Sequence, residues 1–313
     1  MGESYNLRMT ADGIVPAIRA RLGPALAPPQ GSYVRWMADA TTAGWLDAGR
    51  AARVAACNDV FEIAGRELAI ARSLADCLAR TTALERVARA LAGEGRLSAW
   101  RDERYSVTAA FGDDPLLDIE RAAARYFGVH TYAVHVNGLV ANAGGRSMWL
   151  ARRSPAKAID PGLLDNLVGG GIATGYGVRD TLVKEAWEEA GIPAALAASA
   201  RDAGSLDICR PQPQGLQRET IFVYDLALDG DFVPANRDGE AVEHRLVSFD
   251  EAARLIAIDA GDDTLTADAS LVALDCLLRH DAIAADGLDR AALSAFRRAA
   301  LEPRLGSDGL GRW

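Results

Sequence analysis

The stretch from residue 164 to 193 constrains this chain more than any other part of it. Three successive glycines, Gly169–Gly171, come first. They are followed, at spacings of three and one, by the glutamates Glu185, Glu188 and Glu189. Glycine lets a backbone pack closely against a ligand or a helix, and residues three or four apart share one face of a helix. The stretch therefore predicts a strand, a glycine-rich loop and a helix over residues 178–190.

The glutamate face of this helix predicts a metal site. Like charges on one helical face repel one another unless a cation neutralises them. Mg²⁺ and Mn²⁺ are hard cations that prefer oxygen ligands. We therefore predict Glu185, Glu188 and Glu189 as ligands of Mg²⁺ or Mn²⁺. A solvated surface is the alternative, and the glycines that precede the helix favour the metal site.

Composition limits the partners of the chain. Its 313 residues include 34 Lys+Arg and 43 Asp+Glu, which gives a net charge of −9, and this balance argues against nucleic-acid binding through bulk charge. No run of about 18 apolar residues predicts a membrane span, and the first residues lack the pattern of a secretory signal. The four cysteines have no C-x-x-C spacing, which is typical of reduced thiols. We expect a cytoplasmic protein without nucleic-acid or membrane partners.

The pattern of the chain changes near residues 125–130, which predicts a domain boundary there. Helical periodicity with short strand-like interruptions dominates before it, and strands alternate with helices after it. We predict an N-terminal α+β domain over 1–128, a larger domain over 129–284 and a helical tail over 285–313. The main predicted elements are a hairpin at 61–70, helices at 74–91, 117–127, 250–256 and 267–280, and strands at 131–136, 147–153, 220–228 and 242–248.

Candidate substrate-binding and catalytic groups flank the glycines. Arg152, Arg153 and Lys157 follow a predicted strand. Arginine offers phosphate a two-pronged set of donors, and lysine offers it a point charge. Glu219 stands just before the strand at 220–228, where its carboxylate can reach a cleft as a general base. A basic surface turn and a surface glutamate are the alternatives for these residues.

Three ring-bearing side chains are interpreted as packing residues. His135 lies in a predicted strand, where a lone histidine is more often part of the core than a catalyst. Tyr132 is expected to pack in the core in the same way. Trp187, on the motif helix, is expected to pack that helix onto the sheet.

The motif resembles the signature of Nudix hydrolases, G-x5-E-x7-R-E-U-x-E-E-x-G-U, in which U is a bulky aliphatic residue. Six of its nine fixed positions match, namely Gly170, Glu185, Glu188, Glu189, Gly191 and Ile192. Three positions depart: Tyr176 replaces a glutamate, Lys184 replaces arginine and Ala186 replaces the aliphatic residue. Lys184 keeps a positive charge beside Glu185. Because Tyr176 removes a carboxylate, the number of bound metal ions stays open.

A narrower resemblance extends from about residue 35 to 280. The segments 132–138, 149–154, 161–166 and 215–219 resemble a Nudix subgroup related to the hydrolase half of fungal thiamin pyrophosphokinase. Members of this subgroup carry an extra N-terminal domain of unknown function. The resemblance implies an α/β (α+β) fold class, with a Nudix α/β/α sandwich around a mixed sheet preceded by a smaller α+β domain. It also implies Mg²⁺-dependent hydrolysis of a small organic diphosphate, such as thiamin diphosphate or an oxidised analogue, to a monophosphate and phosphate.

The resemblance also implies roles for individual residues. The metal ligands are Glu185, Glu188 and Glu189. The catalytic candidates are Glu188 and Glu219. The substrate-binding candidates are Arg152, Arg153, Lys157, Gly170 and Gly171.

Two other functions stay open on the same fold. An isomerase acting on isopentenyl diphosphate needs a poised Cys–Glu pair, and no cysteine lies in a comparable loop. A catalytically weak module that binds diphosphates for regulation is disfavoured by the intact glutamates. The N-terminal domain is left with two possible roles, covering the substrate or forming a homodimer contact.

Overall fold

A small sheet organises the N-terminal part of the chain. In the computed structural model, which describes residues 11–142, 145–283 and 286–298, this sheet follows helix α1 (Ala11–Ala25). Its strands, in the spatial order β2–β1–β4–β3, are β1 (Tyr33–Ala38), β2 (Thr41–Asp47), β3 (Phe61–Ala64) and β4 (Glu67–Ile70). The hairpin predicted at 61–70 is confirmed. The helical periodicity expected around residues 33–47 is wrong, because alternate residues of β1 are buried, as in a strand.

Helices and a second hairpin cover this sheet. The elements are α2 (Ala48–Ala55), α3 (Cys77–Gly93), β5 (Arg104–Val107), β6 (Leu117–Glu120) and α4 (Arg121–Phe127). An aromatic cluster fills the core, with ring centroids 5.9 Å apart for Trp36 and Phe127 and 6.0 Å for Trp36 and Phe61. The helix predicted over 117–127 is wrong in its first four residues. These residues pair with β5, and the Glu120 side chain caps α4.

A larger mixed sheet forms the rest of the fold. Its strands are β7 (His130–Asn142), β8 (Gly145–Arg153), β9 (Leu164–Asn166), β10 (Val168–Gly171), β11 (Arg201–Gln212), β12 (Gly215–Leu228) and β13 (Ala241–Ser248). The spatial order is β11–β12–β7–β8–β13, while β10 pairs with β7 and β9 with β8. The β12–β7 pair is parallel and the other pairs are antiparallel, so the sheet is mixed.

Helices pack on both faces of this sheet. They are α5 (Val178–Ala190), α6 (Ala194–Ala197), α7 (Phe249–Ile256), α8 (Ala267–Arg279) and α9 (Gly287–Ser294). Val134 and Val136 of β7 share a core with α5, whereas Ala133 shares one with α8. This alternation confirms the predicted α/β/α sandwich. Helix α1 packs on the α7–α8 side of it, where Ile18 and Leu22 are buried.

The structure differs from the prediction at two glycine positions. The strand predicted over 131–136 continues to Asn142. Gly138 serves close packing there, because a Cβ would lie 2.2 Å from a methyl carbon of Leu167. The triple glycine forms strand β10 itself, and the loop follows it. Helix α5 begins at Val178 and ends at Ala190, as predicted.

A short connection holds the N-terminal part against the end of the larger sheet. Gly128 ends α4 with φ at 57°, the left-handed region that favours glycine. A Cβ at Gly128 would lie 2.0 Å from the backbone oxygen of Trp45. Because β7 begins only two residues later, α4 lies directly at the end of that strand. Within the described ranges, no helix is long and apolar enough to cross a membrane.

The buried histidine at the start of β7 makes stability depend on pH. His130 Nε2 lies 2.9 Å from Thr220 Oγ1. Burial, with the positive charge of Arg218, lowers the pKa of His130 from 6.5 to about 4. The unfolded chain therefore takes up this proton at a higher pH than the folded chain does. The contribution of neutral His130 to stability is full above about pH 6.5 and is lost as the pH falls towards 4.

We expect this loss to approach about 3 kcal/mol, at about 1.4 kcal/mol for each pKa unit. His130→Gln should remove that part of the pH dependence, because glutamine does not titrate. Urea unfolding of both proteins at a series of pH values between 4 and 7.5 measures the difference. If the free energies of unfolding of the two proteins fall in parallel as the pH is lowered, the expectation is wrong.

Candidate functional site

Strand β10 and helix α5 bring the glycines and two glutamates into contact. The backbone N–H of Gly169 donates a hydrogen bond of 2.8 Å to Glu189 Oε2. At Gly170, a Cβ would lie only 2.4 Å from Glu185 Cγ. Glycine is needed here because the glutamate side chains lie against the strand backbone.

Burial makes these two glutamates electrostatically unusual. It raises the pKa of Glu185, and it raises the pKa of Glu189 well above its usual value, with the Glu185 charge adding to the effect. Lys184 Nζ lies 2.9 Å from Glu185 Oε1 and 2.8 Å from Glu188 Oε2. Neighbouring buried carboxylates of this kind are stabilised by a further cation. Their oxygen donors fit a hard divalent metal ion.

The third glutamate of the motif has a different environment. The Glu188 side chain is 37% exposed and pairs with Lys184, and it is absent from the lining of the cavities found among the described residues. The ligand atoms that do converge within 4.8 Å in the described part of the chain belong to Asp225, Cys276 and His280. Arg279 already binds Asp225 through both Nη atoms, and burial raises the pKa of the Cys276 thiol to about 12. That cluster is therefore a poor metal site.

A cavity of about 190 Å³ lies beside β10 and joins several predicted site residues. Gly170 and Gly171 line it together with Glu219. The Glu219 carboxylate accepts hydrogen bonds from Thr131 Oγ1 at 3.2 Å and from Gln217 Nε2 at 2.8 Å. Glu219 was expected just before the strand at 220–228 but lies within it, because β12 begins at Gly215, and its carboxylate reaches the same cavity as the glycine strand.

Two of the three predicted cations reach this cavity. Arg153 and Lys157 line it, and they are held by Asp165 and Glu240 respectively. Arg152, the third predicted cation, does not line it. Neighbouring residues of a strand point to opposite faces of the sheet. The Arg152 guanidinium instead binds surface carboxylates, with Nε 2.7 Å from Glu243 Oε2 and Nη2 3.0 Å from Asp263 Oδ1.

Other cavity residues come from the N-terminal part and were not predicted. Tyr105 lies on β5, and Arg121 and Arg125 lie on α4. The one local signal for them is the sequence Arg-Ala-Ala-Ala-Arg, which puts two arginines one helical turn apart. A second cavity, of about 480 Å³, lies beside Gly171 and is lined by Tyr176 and other residues of both parts.

The ring-bearing residues differ in their outcomes. His135 is buried, as predicted, with Nδ1 2.7 Å from Asn166 Oδ1, and it also lines the smaller cavity. Trp187 is 46% exposed, so the prediction that it packs α5 onto the sheet is wrong. The Arg237 guanidinium covers it instead, 4.2 Å from the ring centroid.

Comparison with known proteins identifies the two parts of the chain. A domain of unknown function, DUF4743, matches residues 27–131, and the NUDIX domain matches residues 131–269. A solved structure, that of DR0079 from Deinococcus radiodurans, is 26% identical, covers 54% of this chain and 97% of that chain, and aligns with a TM-score of 0.41.

Two relatives from Arabidopsis thaliana are more similar in sequence. Nudix hydrolase 20, chloroplastic, is 38% identical over 201 residues, which are 64% of this chain and 53% of that relative. Nudix hydrolase 24, chloroplastic, is 35% identical over 255 residues, which are 81% of this chain and 69% of that relative. Together with the motif on α5, this similarity shows that the chain belongs to the Nudix hydrolase family.

Proposed function

We propose that this Nudix hydrolase cleaves a small organic diphosphate, either thiamin diphosphate or an oxidised analogue, into a monophosphate and phosphate. One observation carries the proposal. The partly buried Glu185 and Glu189 lie against a glycine strand, and that strand lines a cavity shared with Glu219. Glu219 lines that cavity, whereas Glu185 and Glu189 line two adjoining cavities that share residues with it. Carboxylates for a metal ion and a carboxylate for a base thus lie around one glycine strand.

Glu185 and Glu189 would hold Mg²⁺ or Mn²⁺, and the motif predicts Glu188 as a further ligand. When bound, the metal ion neutralises charge on the phosphate oxygens. The two carboxylates favour such an ion because burial disfavours their ionised forms while none is bound, and the Glu185 charge adds to this effect on Glu189.

Glu219 is the proposed general base. The hydrogen bonds from Gln217 and Thr131 orient its carboxylate towards the cavity. The carboxylate takes a proton from a water molecule as the water oxygen forms a bond to phosphorus. The bond between phosphorus and the bridging oxygen breaks, and the electron pair leaves with the organic monophosphate. Arg153 and Lys157 would bind the phosphate oxygens that face them.

Size and charge favour a small substrate with a cationic or neutral ring. The cavity that Glu219 lines has a volume of about 190 Å³, below the roughly 300–1,000 Å³ of most ligand pockets. The adjoining cavity that Glu185 lines has about 480 Å³, in the lower part of that range. Asp160, Asp165 and Asp268 also line the first of these two cavities, and the net charge of the chain is −9. The net negative charge disfavours a long polyphosphate at long range. Within the lining, the aspartates offer partners to a ring that carries positive charge, beside cations that can bind phosphate.

A substrate panel tests the proposal. We expect kcat/KM for thiamin diphosphate or its oxidised analogues to exceed that for ADP-ribose and diadenosine polyphosphates by about tenfold or more, since one well-placed charge contact is worth about that factor. The assay measures phosphate release with Mg²⁺ at one ionic strength. A tenfold preference for ADP-ribose or a dinucleotide would overturn the substrate assignment. Absence of hydrolysis of every diphosphate would overturn the reaction itself.

A further inference from the structure

The cavity beside β10 has one wall from each domain. The NUDIX domain supplies the glycine strand and the residues around Glu219. The DUF4743 domain supplies another wall, which includes Arg96, Arg101, Tyr105, Arg121 and Arg125. A substrate bound in this cavity therefore contacts a domain to which no function is assigned.

Hydrogen bonds fix the DUF4743 wall of the cavity relative to the NUDIX wall. The backbone N–H of Thr174, just after β10, donates a bond of 2.8 Å to the Arg104 carbonyl. Its hydroxyl donates a bond of 3.1 Å to Asp118 Oδ1. At Gly171, a Cβ would lie 2.0 Å from the Tyr105 hydroxyl oxygen. The hairpin β5–β6 is thus bonded to the chain that follows the glycines, and α4 continues directly from β6.

Helix α4 presents two arginines to the cavity. Arg121 and Arg125 are four residues apart, which places them on one face of the helix, and the three residues between them are alanines. Arg121 is held by Glu103, with Nη1 2.6 Å from Oε2, and its guanidinium lies 5.8 Å from the Tyr105 ring centroid. Its positive charge acts against the rise in the pKa of Glu185.

Arg125 differs from the other cations of the lining. Arg96, Arg101, Arg121, Arg153 and Lys157 each pair with a carboxylate. Arg125 is partly buried, and its side chain makes no hydrogen bond or ion pair with any residue in the described ranges. Asp160 and Asp268 act on it only at longer range, and Asp268 itself bonds to Arg210 and Gln217. A half-buried guanidinium without a bonded partner is available to an anion that enters the cavity.

We propose that the DUF4743 domain forms the second half of the substrate site and that Arg125 binds the phosphate groups of the substrate. This inference rests on the proposed diphosphatase function. The guanidinium offers a planar fork that matches two phosphate oxygens. Arg125 lines the same cavity as Glu219 and the glycine strand, so it can bind the diphosphate while the base acts from the NUDIX side of the cavity. The site is therefore composite, and the NUDIX domain alone lacks one of its phosphate contacts.

The experiment compares Arg125→Ala and Arg125→Lys with the matched control Arg86→Ala. Arg86 lies on α3, pairs with Asp59 at the surface and lines none of the cavities found in the described residues. Calorimetric titration with inorganic pyrophosphate, in the absence of metal, measures anion binding by the full chain. Kinetics with Mg²⁺ and thiamin diphosphate measure KM and kcat separately, and the melting temperature of each variant reports folding.

We expect Arg125→Ala to weaken pyrophosphate binding and to raise KM by about tenfold or more, with kcat within about threefold of the wild type, because a lost charged hydrogen bond costs about that much. For Arg125→Lys, pyrophosphate affinity and KM should lie between those of the wild type and those of Arg125→Ala. Lysine keeps the positive charge but loses the planar, two-pronged set of donors. Arg86→Ala should behave like the wild type.

Wild-type pyrophosphate affinity in a folded Arg125→Ala protein would overturn the inference. Weaker binding in both Arg125→Ala and Arg86→Ala would also overturn it, because the effect would then reflect net charge alone. One further result distinguishes a failure of the proposed function from a failure of the Arg125 inference. If pyrophosphate binding depends on Arg125 and no diphosphate is hydrolysed, the diphosphatase assignment fails while the phosphate contact stands.

Discussion

Replacing Glu189 by glutamine should lower kcat by about 10²–10⁴-fold while the protein stays folded. Glutamine keeps the shape of the side chain, and its amide oxygen can still accept the hydrogen bond from the Gly169 N–H. It removes the negative charge, which is the property that a metal ligand supplies. Steady-state hydrolysis at saturating diphosphate and Mg²⁺ measures the effect, and thermal unfolding checks that the variant is folded.

The matched control is Glu62→Gln, which neutralises an exposed glutamate on β3. It should leave kcat unchanged. The motif predicts the same large loss for Glu188→Gln, although Glu188 pairs with Lys184 at the protein surface. Wild-type rates for both Glu188→Gln and Glu189→Gln would mean that the glutamates form a solvated surface and that the catalytic assignment is wrong.

The sequence predicted those parts of the site that depend on local spacing. The bounds of α5 follow from its helical periodicity and from the glycine that ends it, so Val178–Ala190 was predicted correctly. The motif also predicts close packing at the glycines, although they form strand β10 against Glu185 and Glu189 and not the expected loop. These features depend on residues fewer than about ten positions apart or on a pattern with a fixed spacing.

Other features depend on contacts between distant parts of the chain. Arg152 and Arg153 have equal chemistry, and only the pleat of β8 decides that Arg153 faces the cavity. Trp187 was expected in the core because it is large and apolar, but an arginine fifty residues later covers it at the surface. The wall that contains Arg125 depends on the packing of one domain against the other. Periodicity within α4 gives no indication of which surface that helix meets.

Gly170 links the local motif to the geometry of the site. Its φ is not in the left-handed region, so its backbone conformation is open to any residue. The space beside it, however, has no room for a side chain, because a Cβ would lie 2.4 Å from Glu185 Cγ and 2.5 Å from Glu185 Cδ. The methyl group of an alanine therefore has to displace the Glu185 side chain.

We expect Gly170→Ala to lower kcat by about 10²-fold, because displacing a catalytic group by about 1 Å costs about that factor. Stability should fall by about 1–3 kcal/mol, the usual cost of adding a methyl group to a filled site. Gly230→Ala is the control, since nothing lies within 4 Å of its Cβ position and its φ is not in the left-handed region. Kinetics in Mg²⁺ and urea unfolding measure the two effects.

A double variant shows whether Gly170 acts through Glu185. If the added methyl group lowers kcat by displacing that carboxylate, Gly170→Ala should add little to the loss caused by Glu185→Gln, because the two changes remove the same interaction. If the two losses in kcat multiply in the double variant, Gly170 contributes separately, through its own backbone contact with the substrate. Wild-type kcat in a folded Gly170→Ala protein would show that the position of Glu185 against β10 does not limit the reaction. Glycine at this position would then serve packing between α5 and the sheet rather than catalysis.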